Sequence, residues 1–326
     1  MMPNRRLFAC LLVVLTLLGG CAAPSLWRAE HYRDHALTGR IWNVAEARFI
    51  ERAELFAALA PARFILLGET HDNPDHHLLQ ADIVTALADA GRRPVLAFEM
   101  FDMSQAAALS AHLANSPGDA AGIGAAVGWE KAGWPDWALY LPIAEAGLHA
   151  GLELRAANMT RAEVRVLAQS GLAGTAPELV QRLQLDRPMP AVDEDNLNQE
   201  IDAAHCGYAN KEMIEAMAYA QFARDAHLAR EMSAAGEIDG AVLIAGAGHA
   251  RSDRAVPFHL RRMAPGRAII SLAFLEVSAG EDAAAAYATP FGGEALPFDY
   301  VWFTPRVDIR DACERFEEQL KKMRGE

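Results

Sequence analysis

Phe64-Ile65-Leu66-Leu67-Gly68-Glu69-Thr70-His71-Asp72-Asn73-Pro74-Asp75-His76-His77 is the stretch on which the reading of this chain turns. Four apolar residues run into a glycine, then into a polar cluster, and Pro74-Asp75 opens a helix. A short unbroken apolar run of this kind is the signature of a strand buried on both faces. The arrangement recurs. Pro94–Phe98 leads into Glu99-Met100-Phe101, Ala241–Ala245 leads into Gly246-Ala247-Gly248-His249-Ala250-Arg251, and Ala268–Leu275 is a further run. Leu152–Ala157 leads to Asn158 but alternates through Glu153 and Arg155, which places it nearer an edge. Tyr300–Phe303 reads as an edge strand, Ile41-Trp42 as the opening of the fold, and Glu46–Ala60 as a helix ended by Pro61. Apolar strands separated by helical patterns predict an α/β fold: a mostly parallel central sheet with helices on both faces. The stretches at about 102–150 and 160–236 are far longer than one crossover needs. They predict helical insertions forming a lobe over the strand carboxyl ends.

The chain has 326 residues and a formal charge of −13. An acidic balance argues against nucleic acid, which calls for a basic footprint. At the amino end Arg5 and Arg6 precede the uncharged run Leu7–Leu18, which suits a signal-peptide core and is short for a bilayer span. Leu18-Gly19-Gly20-Cys21 then matches a lipobox, predicting removal of residues 1–20, lipid on Cys21, and a tether over 21–40. The expected domain occupies 41–310, with 311–326 as a C-terminal helix or tail. Loss of Arg5 and Arg6 takes the charge to about −15. The chain is thus expected to be exported and anchored to a bacterial membrane, on its periplasmic or surface side. Cys206 and Cys313 remain, and in an oxidising compartment they could pair; spacing alone leaves that open.

Ligands of open α/β sheets bind outside the carboxyl ends of the strands, and that is where the polar clusters sit. Glu69, His71, Glu99 and His249 are therefore expected to converge on one cleft. Two histidines and two carboxylates there could hold a divalent metal, or act as acid and base. His76 and His77 are adjacent on a helix, so at most one is expected to face the cleft, the other lying at the surface. The helix expected at about Lys211–Met232 puts Gln221, Asp225 and Leu228 on one face, with Arg224 close by. Met213, Met217 and Ala220 form an apolar stripe, and Trp129, Trp134, Trp137 and Tyr140 an aromatic cluster. Both read as packing first.

These segments, in order, resemble the ChaN-like haem-binding lipoproteins. The likeness is carried by the 68–77 stretch, Glu99-Met100-Phe101, Trp137-Ala138-Leu139-Tyr140-Leu141-Pro142-Ile143, Ala156-Ala157-Asn158, His205-Cys206-Gly207, Gln221 with Arg224-Asp225, and the 246–251 stretch. It runs from about residue 40 to 275. The resemblance implies a haem-binding lipoprotein of iron uptake, able to form a homodimer with haems at the interface. It also implies a tyrosine as iron ligand, for which Tyr208 and Tyr140 are the candidates. Tyr208 sits just after His205-Cys206-Gly207, and Arg224, Arg251 and Arg254 could face propionates. No Cys-x-x-Cys-His is present, so haem would be held non-covalently. The wider superfamily, with Tiki proteases, TraB-like proteins and erythromycin esterases, uses its matching glutamates and histidines for hydrolysis. By position those are Glu69, His71, Glu99 and His249. A hydrolase is therefore the second reading, although no His-Glu-x-x-His helix or Gly-x-Ser-x-Gly elbow occurs.

Overall fold

The computed structural model describes residues 27–235 and 239–315. The expected signal peptide and Cys21 lie outside the described residues, as does most of the C-terminal tail. Eight strands make one sheet: β1 (Ile41–Asn43), β2 (Arg48–Ile50), β3 (Phe64–Glu69), β4 (Val95–Asp102), β5 (Leu154–Asn158), β6 (Ala241–Gly246), β7 (Ile269–Glu276) and β8 (Tyr300–Thr304). Their spatial order is β2-β1-β8-β7-β3-β6-β4-β5. The stretch from β8 to β5 is parallel throughout, while β1 and β2 are added antiparallel beyond β8.

Every residue of β3 and β6 is buried, so both faces of these central strands are covered. One face packs Ile65, Leu67 and Phe98 against Leu55, Ile83, Leu87 and Ile143, from helices Arg52–Leu59, Pro74–Asp89 and Trp137–His149. The other packs Phe64, Leu66 and Leu243 against Leu228, Met232, Val256 and Leu260, from helices Lys211–Ala235 and Ala255–Met263. Each large side chain so buried contributes roughly 1.5–3 kcal/mol. A smaller third core of Met159, Leu167, Leu183, Phe222 and Ala226 belongs to the helical lobe, built from Arg161–Gly174, Pro177–Leu183, Ala191–Ala204 and the amino half of Lys211–Ala235. The first lobe helix opens on a reciprocal cap between Thr160 and Glu163.

Three expectations are corrected. Glu46–Ala60 is not one helix: Arg48–Ile50 pairs with β1 before a shorter helix starts at Arg52. Arg48-Phe49-Ile50 carries two residues of strand preference, and pairing with Ile41–Asn43 overrides the helical pattern around it. Tyr300–Phe303 is not an edge, because β1 pairs along its far side. His76 and His77 are both fully buried, so neither is a surface histidine. Leu154–Asn158 does end the sheet, as its alternation implies. Cys206 and Cys313 are joined in a disulfide that ties the corner after the third lobe helix to the chain beyond β8.

Candidate functional site

The register of the sheet sets Glu69 of β3 beside Gly246 of β6, and a shift in the β4–β5 pairing between Phe98 and Asp102 surrounds Glu99. Gly246 is required here: a Cβ on it would stand 2.9 Å from His71 Nε2, and its N–H donates to Glu99 Oε2 at 2.8 Å. The four expected residues do converge, in two linked halves. In the first, Glu69 Oε1 lies 2.9 Å from His71 Nδ1 and accepts from the Tyr140 hydroxyl at 2.8 Å, while Oε2 lies 3.3 Å from His77 Nδ1. In the second, Glu99 Oε1 accepts from Arg224 Nη2 at 2.7 Å and lies 3.1 Å from His249 Nε2. His249 Nδ1 is 2.5 Å from Asp225 Oδ1. His71 Nε2, 4.0 Å from Glu99 Oε2, bridges the halves, and Asn158 donates to the Glu99 carbonyl at 2.9 Å.

Burial works against every charge in this cluster, and partners decide the outcome. Burial would raise Glu69, but His77 and the hydrogen bond from His71 outweigh it and hold the carboxyl well below its usual range. Glu99 is likewise held low, against its burial, chiefly by His249. Burial opposes a charged His249, yet Glu99 and Asp225 overcome it and lift the ring to about 9. Such an imidazolium donates from both nitrogens, and both have a carboxylate within reach. Burial, reinforced by Glu69, pushes the Tyr140 phenol far above its ordinary value. His76 stands apart: Nδ1 accepts from Thr70 N at 2.8 Å, Nε2 meets Thr304 Oγ1 at 2.8 Å, and burial lowers it to about 3, keeping it neutral.

Beside the cluster, under the lobe, is a cavity of about 630 Å³, within the range of small-molecule sites, roughly 300–1,000 Å³. Met159, Val164, Leu197, Ile201, Met217 and Ala220 give it apolar walls, and Trp134 stands at its side, its ring 4.9 Å from that of His71. Gln221 and Arg224 form the boundary between cavity and cluster. Of the residues expected to meet a cofactor, His205 and Arg224 line the cavity, as does Arg254. Tyr208 and Tyr140 do not. Tyr140 is wholly enclosed, stacked among Trp129, Trp137 and His77 with its hydroxyl on Glu69. Arg251 is 1% exposed and spent on Glu200 and Asp253, so it does not face the cavity. Of the aromatic cluster, only Trp134 reaches the cavity. Met217 and Ala220 are walls of the hollow as well as parts of a helix. Arg161, Arg165 and the apolar residues of the first lobe helix went unnoticed in the sequence; their signal was only an arginine-bearing amphipathic pattern.

The donor set does not form an ion cage. Among the described residues no group of three or more His, Cys, Asp or Glu is arranged to hold a metal, because these donors already meet one another. No helix among them is long and apolar enough to cross a membrane.

Parallel strand ends carrying a buried acid–histidine cluster beneath a cavity-bearing helical lobe define a class of α/β ligand-binding proteins. The family model described as "Haem-binding uptake, Tiki superfamily, ChaN" matches residues 55–260, and the chain belongs to that family. Among solved structures, ChaN of Campylobacter jejuni, described with cofacial haem binding, is similar at 19% identity and a TM-score of 0.64; the match covers 80% of this chain and 95% of that one. At this identity the likeness shows the shared fold. The type III effector HopBA1 (16% identity, TM-score 0.39, 77% of this chain and 91% of that one) and a mutant erythromycin esterase in its open conformation (14%, 0.44, 79% and 95%) align more loosely. No curated protein matches.

Proposed function

We propose that this chain binds haem non-covalently in the lobe cavity, with His205 as the nitrogen facing the iron, and serves haem or iron uptake from a lipid anchor on Cys21. One observation carries the reading. His205 Nδ1 lies 2.7 Å from the Ile201 carbonyl, so in the neutral ring it is the protonated nitrogen, and Nε2 keeps its lone pair on a residue that lines the cavity. A hydrogen bond on one ring nitrogen is what fixes the other as a metal ligand. The group itself would supply the iron; this chain's residues supply an apolar slot, an oriented imidazole and arginines for the propionates. Membership of a haem-binding family supports the ligand. The lipobox supports the anchor, and the Cys206–Cys313 disulfide suits an oxidising compartment. A homodimer belongs to the same reading, to be read by sedimentation of the haemin-loaded chain.

The hydrolytic alternative has less support, because Glu69, Glu99, Asp225 and His249 are buried and paired within the cluster. Optical titration of haemin tests the proposal. A saturable shifted Soret band is expected, with His205→Ala weakening binding tenfold or more, about 1.4 kcal/mol, at unchanged melting temperature. Tyr208→Phe should bind as the parent does. Loss of the band in Tyr208→Phe and not in His205→Ala would overturn the assignment, and a spectrum identical to free haemin would overturn haem binding.

A further inference from the structure

The cavity's charge is opposite to that of the chain that builds it. Arg161, Arg165, Arg224 and Arg254 line it, against one carboxylate, Glu200, in a protein of formal charge −13. A local excess of one sign at an apolar recess selects the ligand's charge.

The four arginines are not equally engaged. Arg224 is held by Glu99. Arg254 reaches Glu200 through Nη2, sharing that carboxylate oxygen with Arg251 Nη1, while its buried Nε has no partner among the described residues. The exposed Arg161 gives one hydrogen bond, to the Ala132 carbonyl. The exposed Arg165 makes no ion pair among the described residues. Two of the four are therefore available at the first lobe helix, on the rim of the apolar walls of Val164 and Ala168. A guanidinium fork matches a carboxylate in shape as well as charge.

We infer that carboxylates select the ligand of this cavity: Arg161 and Arg165 grip the acid groups of an amphipathic dicarboxylate whose apolar body lies along Val164, Ile201 and Met217. The inference rests on the haem reading for the identity of that body, and it extends the ligand class to tetrapyrrole dicarboxylates without iron. Arg161 and Arg165 are specificity-determining residues, and esterifying the ligand's acids removes what they recognise.

Four probes test this on the full chain: haemin, haemin dimethyl ester, protoporphyrin IX and its dimethyl ester. Each is titrated into the parent and into Arg161→Gln/Arg165→Gln by quenching of tryptophan fluorescence. For the parent, each free diacid is expected to bind at least tenfold tighter than its diester. In the double variant that preference collapses to within about twofold, through weaker diacid binding, while diester binding and the melting temperature stay as they were. Equal binding of acid and ester by the parent overturns the inference and leaves haem binding standing. A diacid preference that survives in the double variant also overturns it. Preference for protoporphyrin IX over its ester, with no binding of haemin, sustains the inference and overturns the haem reading. Failure of all four probes to bind overturns both.

Discussion

The strand-end cluster and the lobe cavity share Gln221 and Arg224 as a common wall, yet they are built on opposite terms. The cluster takes Glu69, Glu99, Asp225 and His249 out of water and matches each with a partner. The cavity keeps an open apolar space and leaves Arg165 and His205 Nε2 uncommitted at its side. Groups that look chemically richest are consumed in holding one another. The open space is next door, where less is said by residue type and more by shape. Changes to the cluster should therefore cost stability, and changes to the cavity should cost ligand.

The sharpest way to break that division is Glu99→Ala. It takes from the buried His249 imidazolium one of its two carboxylates and from Arg224 its ion-pair partner, and loss of one partner of a buried pair costs about 3–5 kcal/mol. Urea unfolding should show a large fall in midpoint. A stable variant that has lost only haemin binding would mean that the cluster belongs to the ligand site.

The next effect is in pH. His249 is raised from 6.5 to about 9. Its contribution is fully present below about pH 6.5 and is lost as pH rises through 9. At about 1.36 kcal/mol per unit this is roughly 3 kcal/mol. Glu99, held low, contributes in the opposite sense, its share being lost on acidification well below 4.5. Stability measured against pH should fall at both ends. A flat profile from 6 to 10 would remove the imidazolium from the account.

The smallest expected change is Tyr140→Phe. It removes one buried hydrogen bond to a charged carboxylate, worth about 1.5–3 kcal/mol, and should leave haemin affinity as it was. His205→Ala should show the reverse pattern. If Tyr140→Phe abolishes the Soret shift instead, the enclosed phenol must come out to meet iron, and the two regions work as one.

The sheet was readable because its signal is local: Phe64–Leu67 and Ala241–Ala245 are unbroken apolar runs, and a strand buried on both faces can hardly look otherwise. The convergence of Glu69, His71, Glu99 and His249 followed from strand-end placement. What sequence missed is pairing that carries no local mark. The hairpin of Ile41–Asn43 with Arg48–Ile50 turns through Val44-Ala45-Glu46-Ala47, which has none of the Gly, Asn or Asp that signal a turn, and Tyr300–Phe303 reads the same with or without a strand beyond it. His76 and His77 misled because adjacent helical residues diverge by about 100°; here one direction leads to Thr304 and the other to Glu69, and both are interior. The lobe cavity was least legible. Arg161, Val164 and Arg165 form an ordinary amphipathic pattern until Ile201 and Met217 are brought opposite them.

The amino-terminal approach carries one more consequence. Asp75, at the start of the helix after β3, accepts the backbone N–H groups of Arg28 and Ala29 at 2.8 and 2.9 Å, and His31 bridges to Arg306, just past the end of β8. The chain therefore joins the body at the end where the parallel strands finish, the end that also bears the lobe. From Cys21 to Trp27 a fully stretched backbone reaches only about 20 Å. If Cys21 carries the proposed lipid, so short a tether keeps the lobe-bearing end of the sheet, rather than the opposite end, beside the bilayer.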